Sequence, residues 1–278
     1  MARHNSILLY GLVTSAPKII KNDESGTYLQ GICPIRVIRG QRDAGDRSEF
    51  KHIKYDDPII VTGESNLVKK MDEWEPGDMV LIKGVLVTKD VNKKVTCKTC
   101  GKVHIFQGSS EFVRPIYLET CMKKVPKENV VAELKKRIEI SNVATLIGTV
   151  CKKPEMYTTE KKLHVTQFPI AINRKYKIPE DALEIRTDFP YVKSYGTQAD
   201  KDYQYLDVGS VLMIDGCIQT REFERLLECD CGATTKWYDS SLEIIPYQSE
   251  YFNKNNSSEE ESAATANNNT SIADEILK

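Results

Sequence analysis

"PGDMVLIKGVLVTKD" spans residues 76–90, and "VGSVLMIDGCIQTRE" spans residues 208–222. Set one over the other, they match Gly77 with Gly209, Gly84 with Gly216, Thr88 with Thr220 and Lys89 with Arg221. Two further blocks pair in the same order. "YGLVTSAPK" (10–18) answers "IGTVCKKPE" (147–155), and "CPIRVIRG" (33–40) answers "FPIAINRK" (168–175), with Pro34 and Pro169 in one place. The offset drifts only from 137 to 135 to 132, and Cys97 and Cys229 are also 132 apart. Register kept through so many blocks identifies a tandem duplication.

Each copy offers the same elements. Short strands come first, with Ile35 and Val37, or Phe168, Ile170 and Ile172, on the inward face of a period-two pattern. A short helix follows, "ESNLVKKMDEW" (64–74) or "TQADKDYQYL" (197–206). A glycine-bounded strand pair and a last strand, "VRPIYLE" (113–119) or "SLEIIPY" (241–247), complete the copy. About five strands with one helix before the fourth suit a small, highly curved barrel, and the OB-fold is the candidate. Pro34 and Pro169 then need a bulge or an exposed edge in strand two. The fold class expected is all-β with small α content: two tandem OB-fold five-stranded barrels, a connecting helix and a disordered C-terminal tail.

The expected limits are 1–120 for the first barrel, 121–141 for a helical linker, 142–252 for the second barrel and 253–278 for the tail. Within the linker, "KENVVAELKKRIEI" (127–140) has helical spacing at Val130, Leu134 and Ile138. The tail is rich in Asn, Ser, Ala and Glu, too poor in apolar residues to form a core. It carries five acids against two lysines, so removing it from a net charge of −1 leaves a body of about +2. Such a body has no large basic field to steer a duplex. Nucleic-acid binding by this chain must lean on local contacts, stacking above all.

At 278 residues the length suits two domains. Nothing reads as a signal peptide or a membrane span. Eight cysteines without an export signal fit a reducing, cytoplasmic setting, where thiols or metal ligands are expected over disulfides. The four histidines are scattered and no phosphate-binding loop or paired metal-carboxylate motif stands out, so no enzyme is expected.

"NVATLIGTVCKKPEMYTTEKKLHVTQFPIAINRKY" (142–176), "TDFPYVKSYGTQAD" (187–200) and "YLDVGSVLMIDGCIQTREF" (205–223) occur in the order and spacing of the bacterial single-stranded DNA-binding proteins, and the second copy resembles that family. The first copy resembles it only faintly. The resemblance implies single-stranded DNA as ligand and assembly to four OB-folds, here a homodimer. It also implies base stacking at Phe189, Tyr195 and Phe223. Arg174, Lys175 and Tyr176 lie where the family's second strand leads into a DNA-contacting loop, and Arg221 matches a basic position beside the fourth-strand aromatic.

The residues alone lead to the same surface. Read as a strand, "TDFPYVKSYG" (187–196) puts Phe189, Tyr191, Lys193 and Tyr195 on one face and Pro190, Val192 and Ser194 on the other. Aromatic faces stack on any base while Lys and Arg follow the phosphates, so the first row is expected outward as a stacking platform. Burying that row instead would bury Lys193, which needs a partner. Copy one has no aromatic in residues 56–73. It keeps Arg39 opposite Arg174 and Lys89 opposite Arg221, has Val91 where copy two has Phe223, and adds Lys51, His52 and Lys54. It is expected to follow phosphates with little stacking, or to serve as scaffold.

"CKTCGK" (97–102) and "CDCGAT" (229–234) fall at the loop between strands four and five in each copy. A structural zinc needs four ligands. Cys97 and Cys100 with His104 make three, and Cys97, Cys100, Cys229 and Cys231 make four only if the two loops meet. Cys229-x-Cys231 is short for a knuckle and no second pair follows in either copy, which favours remnants of a degenerated ribbon over zinc. Cys33, Cys121, Cys151 and Cys217 read as small buried residues.

The function expected is sequence-tolerant single-stranded DNA binding in replication, recombination or repair, with no cofactor required. Replication or repair proteins are the partners expected at the tail. A single-stranded RNA-binding OB-fold is the nearest alternative, because stacking is blind to the sugar. An OB-fold protein-interaction module is the third reading, and it leaves the aromatic row of copy two without a use.

Overall fold

The structure is a computed structural model and describes residues 4–39, 54–174 and 187–252. Copy one runs β1 (His4–Val13), β2 (Lys18–Lys21), β3 (Tyr28–Arg39), β4 (Lys54–Asp56), β5 (Ile59–Thr62), α1 (Ser65–Asp72), β6 (Met79–Thr96) and β7 (Val103–Met122). The linker holds α2 (Lys127–Lys136) and α3 (Ile138–Ser141). Copy two repeats the series as β8 (Asn142–Val150), β9 (Glu155–Thr158), β10 (His164–Asn173), β11 (Thr187–Asp188), β12 (Tyr191–Tyr195), α4 (Thr197–Tyr205), β13 (Val211–Glu228) and β14 (Thr234–Tyr251).

The first barrel closes in the order β1-β3-β5-β7-β6-β1, antiparallel except for β5 beside β7 at Ile60 and Val113. The second closes as β8-β10-β12-β14-β13-β8, with β12 parallel to β14 at Tyr191 and Glu243. These are two OB-folds, as expected. Period-two alternation supplies the core: Cys33, Ile35 and Val37 point inward from β3, and Phe168, Ile170 and Ile172 from β10. Where β1 leaves β6 for β3, a Cβ on Gly11 would stand 2.5 Å from Ile35 Cγ2 and 2.7 Å from the Arg36 carbonyl oxygen, so only glycine permits the crossing. The bulges that bend the long hairpins also correspond, at Lys83/Gly84 and Asp215/Gly216.

The barrels join edge to edge. β1 pairs antiparallel with β8 from His4–Ile147 to Leu9–Asn142. Ile7 faces Ala144, its own counterpart at the offset of 137, so a pseudo-dyad passes between them. Asn5 bonds both backbone groups of Leu86, and Asn142 does the same for Ile218, which ties each first strand to its own hairpin. The linker does not form one helix over 127–140. It breaks at Arg137, whose guanidinium lies 4.9 Å from the Tyr10 ring. Val130, Leu134 and Ile138 still pack together, against Tyr10, Ile38 and Met79. No helix among the described residues is long and apolar enough to cross a membrane.

One buried acid gives copy two a pH dependence. Asp202 of α4 is fully buried, its Oδ1 accepting from Tyr251 at 2.6 Å and from Gln198 at 2.8 Å. Burial pushes its carboxyl above the ordinary value, against those hydrogen bonds. The folded chain therefore holds a proton that the unfolded chain releases, and stability falls as pH rises from about 3.9 through the raised folded value. Asp202→Asn keeps the acceptor and removes the charge. It should raise Tm at pH 7, by about 2–4 °C per kcal/mol of added stability, and leave Tm at pH 3 nearly unchanged. Melts across that pH range check the slope.

Candidate nucleic-acid interface

Pairing with β10 fixes the phase of β12. Val192 lies opposite Phe168 and shares its inward face, while Tyr191, Lys193 and Tyr195 lie opposite Pro169, Gln167 and Val165 on the outer face. Phe189 and Tyr191 are 54% and 48% exposed, and Tyr195 is half-buried. The aromatic row points outward. Lys193 shares the row but is itself covered: its ammonium lies 3.5 Å from Glu243 and 5.9 Å from the ring of Tyr157. Tyr157 was not legible as part of this face. It comes from β9, opposite Val165, and extends the row begun by Tyr195.

Arg39 and Arg174 are not offered to a strand. Arg174 is buried and makes two hydrogen bonds to Asp188, at 2.7 and 2.8 Å. Arg39 holds Asp56 in the same way, at 2.7 and 2.9 Å, and reaches Gln219 at 2.7 Å. Each aspartate also receives a backbone N–H from the other copy's hairpin. Thr88 donates to Asp188 and Thr220 to Asp56, both at 2.9 Å. The two threonine hydroxyls accept N–H groups of Phe189 and Asp57, also at 2.9 Å. The arginines are thus halves of two symmetric clamps that dock the barrels. A guanidinium fixed by a buried carboxylate has little left for phosphate. Lys175, Tyr176, Lys51, His52 and residues 253–278 lie outside the described residues.

The β6–β7 and β13–β14 hairpins project from their barrels and run together as a wall. Phe106 and Trp237 stack across it at 5.6 Å, and Lys93 pairs with Asp239. A groove flanks each side. Groove two, about 440 Å³, is floored by Tyr191 and Lys193 and walled by Phe223, Arg221, Arg225 and Trp237. Groove one, about 1000 Å³, holds Tyr55, Ile59 and Arg36 of copy one, with Tyr238 contributed by copy two's hairpin. Tyr238 is 72% exposed. Copy one is therefore not without aromatics. Its side of the molecule borrows one, and Tyr55 sits one residue before the stretch that lacks them. Lys89 and Arg221 are exposed at corresponding places at the hairpin bases, and Val91 lines groove one.

Charge in groove two is largely matched. Glu243 lies 3.5 Å from Lys193 and 3.9 Å from Arg221, and Asp239 pairs with Arg225 at 3.1 Å. The Arg225 guanidinium also covers one side of Phe223, 5.0 Å from its ring centre.

At the tips the two cysteine pairs meet, which is the condition under which they make a set of four ligands. The Sγ atoms of Cys97, Cys100, Cys229 and Cys231 all lie within 4.8 Å of one another. Backbone N–H groups of Cys100 and Thr99 aim at the Cys97 sulfur and hold its thiol down to about 6. The N–H of Cys231 favours the Cys229 thiolate, but burial and the crowded neighbouring thiols outweigh it and push Cys229 up to about 12. Four sulfurs this close are a donor set for a metal ion.

Paired OB-folds with an outward aromatic strand define a class of ligand-binding barrel whose strand-two and strand-three face is the usual contact surface. Residues 141–228, within the second copy, match the single-strand binding protein family. Single-stranded DNA-binding protein 1 of Staphylococcus aureus MSSA476 is 32% identical over 83 residues, which make up 30% of this chain and 52% of that one. Single-stranded DNA-binding protein 2 of Streptococcus agalactiae serotype V is 34% identical over 84 residues, 30% of this chain and 63% of that one. The chain spans about half the length of the curated relatives it matches. The crystal structure of the single-stranded DNA binding protein from Thermus aquaticus aligns with a TM-score of 0.56 at 16% identity, covering 91% of this chain and 95% of that one. That likeness shows the fold, and its reach takes in both barrels.

Proposed function

We propose that the chain binds single-stranded DNA with little sequence specificity, holding it for replication, recombination or repair in the cytoplasm. The observation that carries the reading is the exposed Tyr191, which lines groove two with Phe223 and the hairpin wall, with the exposed Phe189 two residues before it. Rings so placed stack on any base, and Arg221, Lys193 and Arg225 stand where phosphates would pass. Groove two is the main site, and groove one is a second, with Tyr55 and Tyr238 as its stacking surfaces. Lys89 follows the backbone there. Strand binding needs no cofactor. Two barrels per chain make a homodimer the expected assembly, and light scattering reads it directly. Titration of intrinsic fluorescence with matched DNA and RNA oligonucleotides tests the ligand class. Equal or tighter binding of RNA would transfer the reading to the alternative nucleic acid, and no binding of either would end it.

Glu243 acts as a built-in competitor for phosphate. Glu243→Gln keeps an acceptor for Gln219, 3.4 Å away, and releases Lys193 and Arg221 from its charge. Affinity for a single strand should rise several-fold, and the salt slope should steepen by about 0.7 for each phosphate that these cations newly meet. An unchanged slope would mean that they meet none.

A further inference from the structure

We propose that Cys97, Cys100, Cys229 and Cys231 hold one zinc ion as a tetrathiolate that clasps the tips of the two hairpins. A tetrahedral ion with bonds of about 2.3 Å needs sulfurs about 3.8 Å apart. Cys97 and Cys231 stand 3.8 Å apart, and Cys100 and Cys229 stand 3.6 Å apart. These are far beyond a disulfide bond of about 2.05 Å. All four are free thiols.

Both turns are built alike in spite of their different spacing. In each, the second cysteine directly precedes a glycine in the left-handed region, Gly101 at φ 73° and Gly232 at φ 80°. That glycine N–H returns to the carbonyl of the first cysteine, at 2.9 Å in both copies. The missing residue in Cys229-x-Cys231 shortens the loop and leaves the return bond and the sulfur position intact.

The surroundings suit a doubly negative zinc–thiolate centre. His104 Nε2 lies 3.3 Å from the Cys229 sulfur, at hydrogen-bonding distance, an outer partner of the kind that fixes a ligand's orientation. Lys102 pairs with Asp230 beside it. Beneath the four sulfurs, Val95, Leu227, Phe106 and Trp237 form a small apolar cluster that joins the hairpins. Tetrahedral sulfur sites select zinc or iron, and zinc is the ion that serves structure alone. The clasp would fix the wall that separates the two grooves. It stands whether or not the grooves bind DNA.

Mass spectrometry of metal content tests it on the full chain, purified under reducing conditions without chelator and free of DNA. One zinc per chain is expected. Cobalt added to chelator-treated protein should give the visible bands of a tetrahedral thiolate site, and zinc should abolish them. The paired change Cys100→Ser with Cys231→Ser should lose the metal and lower Tm by on the order of ten degrees, with the barrels' circular dichroism retained. If that variant does not fold, the cobalt titration of the unaltered chain decides. Four freely reactive thiols after equilibration with zinc would overturn the proposal. So would bound iron, or disulfides Cys97–Cys231 and Cys100–Cys229 in the freshly reduced and re-equilibrated protein. Each of these readings is taken without nucleic acid, so failure of the clasp leaves the strand-binding proposal standing.

Discussion

Phe189→Ala and Tyr191→Ala should each weaken single-strand binding by about 1–3 kcal/mol, and the double change by at least about 30-fold. The expectation is large because other forces in groove two are small. Its cations are matched by Glu243 and Asp239, and the net charge of the whole chain is −1. Stability should hardly move, since both rings are about half exposed and the core beneath them is made by Val192 and Phe168. Tyr195→Ala should have a smaller effect, because its ring is already half covered. The salt slope should stay constant in all four variants, as every phosphate-facing cation is kept. Tyr238→Ala reports on groove one in the same assay. If the double variant melts well below the unaltered chain and its folded fraction binds normally, the rings support the barrel and the interface lies elsewhere.

Much of this arrangement was legible in the sequence, because it is written in local periodicity. The repeat offsets implied two barrels, and alternation in "TDFPYVKSYG" (187–196) set Val192 inward and Tyr191 outward. What stayed hidden depends on elements far apart along the chain. Glu243 comes from β14 and covers Lys193 of β12, an approach made only when the barrel closes. The cysteine pairs are 132 residues apart, and nothing local says that two hairpin tips converge. Trp237 and Tyr238 lie outside the family's motifs, yet Trp237 lines both grooves and Tyr238 lines groove one. Arg39 and Arg174 were misread for a different reason. A basic residue at the end of strand two resembles a phosphate ligand, and its acidic partner sits across a loop, 17 or 14 residues on. The repeat held the clue: Asp56 and Asp188 recur at one offset while their neighbours Asp57 and Phe189 diverge.

Asp188→Ala tests that correction and should be the most damaging single change for stability. It leaves the Arg174 guanidinium buried without its carboxylate, which costs about 3–5 kcal/mol, and it also removes the acceptor for the Thr88 N–H. At about 2–4 °C per kcal/mol, Tm should fall by roughly 6–20 °C. Arg174→Ala should destabilise in the same way, with Asp188 now the uncompensated charge. Arg174→Met with Asp188→Leu should recover much of the loss, because apolar residues of similar volume often replace a buried pair with little change. A phosphate-binding Arg174 predicts the reverse pattern. Its removal would lower the salt slope by about 0.7 and leave Tm alone, and the double variant would bind as poorly as the single one. Thermal melts and salt-dependent binding on the same four proteins separate the two accounts. A stable Arg174→Ala variant with a reduced slope would return that arginine to the strand-binding face.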